Sequence, residues 1–207
     1  IDNEKMSKSL GNFMTARAAI EQYPPLALRF FMLSAHYRSP INFTPESLEQ
    51  SSAGVMRLRN CRSDLEFAAK TRKDNSSSFD VKEYQAKLEE LDKNFSDAMN
   101  DDFNTAAAMG VLFDVVYLIN TTLKENDKLP EGFFTLSVKA LKDYDDILGI
   151  IGADDTEDTE IEKLIQERTE ARKAKNFKRS DEIRNELKAR GIVLEDTPQG
   201  TKWKREL

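Results

Sequence analysis

The sequence predicts a mainly α protein, an antiparallel helical bundle followed by a small C-terminal α+β module that ends in a hairpin. Three observations lead there. Apolar residues recur at steps of three and four through five successive segments between Pro24 and Ile150. A proline or a capping residue opens each of the first four. Beyond Gly191 the pattern changes to two short runs on either side of Thr-Pro-Gln-Gly, which read as paired strands.

The elements follow in order. The polar, Gly-punctuated start, KMSKSLGNF, is a loop running into a helix. PPLALRFFMLSAHY is helical, with paired prolines at its start, Leu28, Phe31, Met32 and Ala35 on one face, and a stop at Arg38-Ser-Pro40. Thr44-Pro45-Glu46 combines an N-cap hydroxyl, Pro at N1 and a first-turn acid. Leu48, Val55, Leu58, Cys61, Leu65 and Ala68 form the stripe behind it, which fades into KTRKDNSSS. Asp80-x-x-Glu83 is a capping-box signature before Val81, Tyr84, Leu88, Leu91, Phe95 and Met99. Asn104 caps a helix carrying Leu112, Val115, Val116, Ile119 and Leu123, broken at Leu-Pro-Glu-Gly. Phe134, Val138, Leu141, Tyr144 and Leu148 mark one more. The acidic, unpatterned ADDTEDTE reads as a linker. Thr159-x-x-Glu162 then opens two short charged helices, broken near Asn176-Phe177, with Ser180 as the second N-cap and Gly191 as the C′ residue. The expected divisions are 1–23, 24–150 for the bundle, 151–160 for the linker and 161–207 for the last module.

Composition excludes several classes. Of 207 residues, 39% are hydrophobic and 33% charged, and mean hydropathy is −0.61, so the core is patterned rather than continuous. No stretch approaches the roughly 18–20 apolar residues of a membrane span. The N-terminus lacks the regions of a signal peptide. One cysteine, Cys61, forms no internal disulfide, and with one histidine, His36, leaves little for a metal site or a Ser-His-Asp triad. Cys61 reads as a buried small hydrophobe, and His36 as a group that makes a local hydrogen bond or packs at a helix end. A reducing, cytosolic compartment is expected. Net charge is −6, distributed as +3 over residues 1–72, −13 over 73–160 and +4 over 161–207. Two mildly basic ends flank an acidic middle, which argues against indiscriminate nucleic-acid binding. The chain opens on Ile rather than Met and is expected to be a piece of something longer.

The sharpest local signal is Lys5-Met6-Ser7-Lys8-Ser9. Two lysines and two hydroxyls on a Gly-flanked loop can surround a phosphate chain, although an arbitrary K-x-x-K is a solvated surface loop. This string is the KMSKS signature of class I aminoacyl-tRNA synthetases. Three further segments, LALRFFMLSAHYRSPINFTPESLEQ, DDFNTAAAMGVLFDVVYLIN and ARKAKNFKRSDEIRNELKARGIVLEDTPQGTKWKR, resemble the cysteinyl-tRNA synthetase family, in order and over essentially the whole chain.

The resemblance implies a fold of the class I anticodon-binding type and a two-step ligation. Cysteine attacks the α-phosphate of ATP, pyrophosphate leaves, and the activated cysteine passes to tRNA-Cys. It implies Lys8 as the ATP contact, with Lys5 second, both stabilising charge on the phosphates. It also implies parts that this sequence lacks: a HIGH-type motif and a zinc site of cysteine, histidine and acidic ligands. The chain is therefore expected to be the C-terminal part of a monomeric enzyme, without metal of its own and inactive alone. The tail holds 13 basic residues and two candidate stacking rings, Phe177 and Trp203. The family's anticodon contacts align with Arg172, Asp181 and Asp196, and Phe177 stands where many members have Trp. Taken without the resemblance, Asp181 is a first-turn helix acid and Asp196 a turn residue. Tyr37 and Arg38 can touch a tRNA stem, but nothing in the sequence requires it. Two other readings stay open: a free-standing tRNA- or partner-binding module, and a ligase joining cysteine to a small amine. The KMSKS string weighs against the first and the 161–207 tail against the second.

Overall fold

Proline and side-chain caps decide where the helices of this chain begin. The computed structural model describes residues 1, 4–9, 11–152 and 156–205, and the side chains of all of these but 156–158. Among them are α1 (Ala16–Gln22), α2 (Pro25–Leu33), α3 (Pro45–Thr71), α4 (Val81–Asn100), α5 (Thr105–Glu125), α6 (Glu131–Leu148), α7 (Thr156–Lys173) and α8 (Phe177–Ala189). Strands β1 (Ile192–Thr197) and β2 (Gly200–Arg205) close the chain. It divides into two compact units, Ile1–Ile151 and Gly152–Leu207, each with its own core.

In the first unit the caps behave as the sequence predicts. Thr44 Oγ1 accepts from the Ser47 N–H at 3.2 Å, and Ser47 Oγ accepts from the Thr44 N–H at 3.1 Å. These reciprocal bonds satisfy two donors that the first turn leaves open. Asp80 accepts from the N–H groups of Lys82 and Glu83. Glu83 does not complete that box and pairs with Lys87 at 2.7 Å. Asn104 accepts from the Ala107 N–H and opens α5. All six predicted stripe residues of α3 are buried, as are all five of α5. Phe79, Tyr84, Phe133 and Phe134 gather with ring centres 4.9–5.7 Å apart. The Tyr84 and Ser137 hydroxyls pair at 2.7 Å beside them, so neither buried oxygen is unsatisfied. At the end of α6, Gly149 takes the left-handed conformation and the Asp145 carboxylate accepts from the N–H groups of Ile150 and Ile151.

Several expectations are corrected. Helix α2 ends at Leu33, before Arg38-Ser-Pro40, because the Ser34 N–H turns back on Phe30 and Phe31 and its hydroxyl bonds the Phe31 carbonyl. Its buried face is Ala27, Phe30 and Phe31, while Met32 is 63% exposed and Ala35 lies beyond the helix. Adjacent rings bury because α2 has neighbours on two sides: Phe30 meets Phe113, and Phe31 meets Phe43. On α6 Val138 is exposed and Ser137 takes the buried position. Helix α5 is, by length and composition, apolar enough to cross a membrane, contrary to the sequence expectation. Its apolar side chains from Ala108 to Leu123 supply much of the bundle core.

In the second unit, Ile161 and Ile165 of α7, Ile183 and Leu187 of α8, Ile192 and Trp203 form the core. The antiparallel register pairs Leu194 with Trp203 and Asp196 with Thr201, leaving Pro198-Gln199 as a two-residue loop. The predicted linker is helical from Thr156, and its residues 153–155 lie outside the described residues. Thr159 is therefore inside α7 rather than its cap. Asn176, not Ser180, caps α8 by accepting from the Arg179 N–H, and Ser180 is buried. Lys175 supplies the reversal with a left-handed φ of 57°.

Phe30 lies directly over Gly54 of α3, where an added Cβ would come within 2.5 Å of the ring. Gly54→Ala is therefore expected to lower stability by about 1–3 kcal/mol, against the roughly 1 kcal/mol that helix propensity alone would add. Urea denaturation of both proteins checks the sign.

Candidate functional site

Asn12 braces the loop that carries Lys5, Ser7, Lys8 and Ser9. Asn12 Oδ1 accepts from the Ser7 N–H at 2.8 Å, and Asn12 Nδ2 donates to the Lys5 carbonyl at 3.2 Å. Ser7 and Ser9 hydroxyls pair at 2.8 Å, and Gly11 turns the chain at a φ of 72°. Lys5 and Lys8 are exposed, and the Lys8 ammonium lies 5.5 Å from the centre of the Phe13 ring. The loop thus presents two cations and two hydroxyls on a backbone braced by the Asn12 amide and by the Gly11 N–H on the Lys8 carbonyl at 3.3 Å.

The tail concentrates its charge where α7 ends and the hairpin turns. Arg168 and Arg172, one turn apart on α7, both reach Asp196 on β1. Arg168 Nη1 and Nη2 donate to the two Asp196 oxygens at 2.8 Å each, and Arg172 Nη1 donates to Oδ2 at 2.7 Å. Thr201 Oγ1 adds a bond to Oδ1 at 2.9 Å. These cations, Arg168 foremost, hold the Asp196 carboxyl well below the usual carboxylate range, against a smaller opposing effect of burial.

Of the five predicted tail residues, the structure brings Arg172 and Asp196 into direct contact. Phe177 is 62% exposed at the first position of α8, so its ring is open to stacking. Asp181 is exposed one turn further along the same helix, near enough to Arg168 to act on its charge. Trp203 does not join them. It is 7% exposed, its Nε1 donates to Glu162 at 3.1 Å, and the Arg205 guanidinium lies over its ring. A ring so covered is a core residue, which corrects its expected stacking role. Sequence reasoning missed Arg168. Its spacing of four from Arg172 was the available signal, since it puts both on one face of α7.

In the first unit, Asp102 gathers the segment after α2. Tyr37 Oη donates to Asp102 Oδ1 at 2.8 Å, and Arg38 Nε lies 3.2 Å from Oδ2. His36 stacks on Tyr37 and reaches Asp102 at 3.9 Å. The zinc site that the resemblance implies does not fit here. Cys61 is buried in the bundle core, where burial pushes its thiol up to about 12, far from the thiolate a metal needs. Among the described residues no three His, Cys, Asp or Glu side chains group to hold a metal.

Comparison with known proteins covers the chain in three parts. Residues 1–53 match the family model for the class I (C) tRNA synthetase catalytic domain, and residues 94–152 match the DALR domain. Residues 154–203 match the cysteinyl-tRNA ligase anticodon-binding domain. The chain is 46% identical over 207 residues to the cysteine–tRNA ligase of Lysinibacillus sphaericus, covering 99% of this chain and 44% of that protein. It is 45% identical over 208 residues to the enzyme of Brevibacillus brevis, covering 100% of this chain and 44% of that protein. For the enzyme of Caldicellulosiruptor saccharolyticus the figures are 46% over 209 residues, 99% and 44%. The chain thus spans less than half the length of the curated relatives it matches.

The ion cluster sets a pH expectation. Because the folded-state pKa of Asp196 is depressed, its contribution to stability is complete above the ordinary value of 3.8 and is lost as pH falls below it. Carboxyl-carbon NMR titration is expected to place the Asp196 midpoint below 3.8 in the wild type and to raise it more in Arg168→Lys than in Arg172→Ala.

Proposed function

We infer, for a chain that belongs to the cysteine–tRNA ligase family, that its second unit binds the anticodon loop of tRNA-Cys and that its first residues contribute to an ATP site. The observation that carries this reading is the Arg172–Asp196 contact together with the exposure of Phe177 and Asp181 on α8, all within 154–203, the stretch matched by an anticodon-binding family. That match also favours this reading over a ligase for a small amine. Single-stranded loops are bound by cations along the phosphates, rings against splayed bases, and directional groups on base edges. Exposed Lys173 and Lys175 supply the first, Phe177 the second, and Arg172 and Asp181 the third.

In the ligation, Lys8, with Lys5, stabilises negative charge on the ATP phosphates as pyrophosphate leaves. Asn12 holds their loop in shape. ATP and cysteine are met together with a HIGH motif, a string that does not occur in these 207 residues, and the chain alone is expected to be inactive. The enzyme acts as a monomer in the cytoplasm, where its tRNA is. Residues 24–150 serve as the tRNA-contacting bundle, and the anticodon module follows it.

Filter-binding titrations of the chain against tRNA-Cys and an anticodon-swapped version, at two salt concentrations, test the reading. Saturable binding with preference for the cognate tRNA is expected. Lys173→Ala and Lys175→Ala are each expected to weaken both tRNAs alike and to flatten the salt dependence by about 0.7 in log–log slope for each phosphate left unneutralised. Equal binding of the two tRNAs by the wild type would refute the anticodon role. Cysteine-dependent ATP–pyrophosphate exchange is expected at background, and exchange above it would refute the claim of inactivity.

A further inference from the structure

Two consecutive residues in the turn between α4 and α5, Asp102 and Phe103, take left-handed backbone angles, with φ of 53° and 54°. That conformation crowds the Cβ of an L-residue, and a bulky aromatic in it is an outlier. At the end of α6 and just ahead of β1 the chain meets the same need with Gly149 and Gly191. At 103 a phenylalanine stands instead, and its ring does not offset the strain by packing. It is 67% exposed and lies outside the bundle core. The turn is nevertheless held firmly. The N–H groups of Phe103 and Asn104 donate to the Met99 and Ala98 carbonyls, Asn104 caps α5, and the Thr105 hydroxyl donates to the Leu33 carbonyl at 2.9 Å. A fixed, unfavourable backbone that carries an unpacked ring points to a role for the ring outside the chain.

The surroundings narrow that role. Asn100, Asp101 and Asp102 are exposed before the ring and Asn104 is half-buried after it. The ring therefore rises from a polar turn, not from an apolar face of the extent a protein partner needs. Asp102 accepts from Tyr37 Oη at 2.8 Å and pairs with Arg38 Nε at 3.2 Å. Those contacts bring a second exposed ring and an exposed guanidinium to the residue next to Phe103. Flat faces and one guanidinium on a polar surface suit a nucleobase, which stacks through its face whatever its edge.

We propose that Phe103 is an RNA-contacting residue of the first unit, its ring stacking on an unpaired base of the tRNA outside the anticodon. The proposal rests on the tRNA reading above and adds a contact that lies apart from residues 161–207. The exposed Asp101 carboxylate disfavours a phosphate at this spot, so the ring contributes stacking and no charge neutralisation.

Phe103→Gly removes the ring and relieves the backbone at once. In the 207-residue chain its urea midpoint is expected to match or exceed that of the wild type, while affinity for tRNA-Cys falls by about tenfold. Affinity for the anticodon-swapped tRNA is expected to fall by the same factor, so the cognate-to-swapped ratio holds. The log–log salt slope is expected to stay that of the wild type, because no phosphate contact is lost. Phe103→Trp keeps a stacking face and is expected to bind within about twofold of the wild type. A ring that only propped the turn would give the reverse in Phe103→Gly, a lower midpoint with unaltered affinity. Unchanged affinity for both tRNAs in Phe103→Gly, which a ring that docks on protein would also give, overturns the proposal and leaves the tRNA reading standing. A loss confined to the cognate tRNA, or an equal loss in Phe103→Trp, does the same. If Phe103→Gly loses its helical signal, Phe103→Leu replaces it, keeping apolar bulk without a flat face. The same loss is expected, and unchanged affinity again overturns the proposal. A wild-type chain that binds neither tRNA overturns the tRNA reading and the proposal together.

Discussion

The apolar stripe of α3, running from Leu48 to Ala68, has to be kept from water along its whole length, and the first unit is the set of helices that does so. Helices α2, α5 and α6 all pack on α3, and α4 closes over α5 and α6. The stripe is interrupted by the small Gly54, and that gap admits Phe30 of α2. Helix α2 ends at Leu33, where Ser34 bonds back to the Phe30 and Phe31 carbonyls, and the segment beyond it carries His36, Tyr37 and Arg38 to Asp102.

The fold was legible in the sequence wherever a local interaction decides the outcome. Thr44, Asp80 and Asn104 cap through bonds to residues two or three positions away, so the chain carries the whole instruction. The stripes of α3 and α5 were legible because each helix is long and buried along one consistent face. Legibility failed where a neighbour from elsewhere chose between similar candidates. Phe30 and Met32 are equally apolar, and only Gly54 and Phe113 make the first of them core. Ser180 and Asn176 can both cap a helix, and the left-handed Lys175 puts the helix start at the earlier one.

The candidate site divides along the same line. The residue types needed to bind an RNA loop are visible in the tail, and Arg172, Phe177 and Asp181 are exposed as such chemistry requires. What the sequence does not contain is which groups are already engaged with one another. Asp196 is claimed by two arginines that lie 28 and 24 residues away, and Trp203 by a core formed from both helices and the hairpin. Such pairings are long in sequence and depend on the hairpin register, which places Thr201 opposite Asp196. Residue types along a sequence carry no information about such hydrogen-bond occupancy.

The burial of Trp203 has an experimental consequence. It is the chain's one tryptophan, and it lies in the second unit's core, whereas the one cysteine, Cys61, lies in the first unit's core. Tryptophan emission therefore reports on the second unit alone, and thiol accessibility on the first alone. A single unlabelled sample can accordingly be asked whether the two units lose structure in one cooperative transition or in two, and in which order.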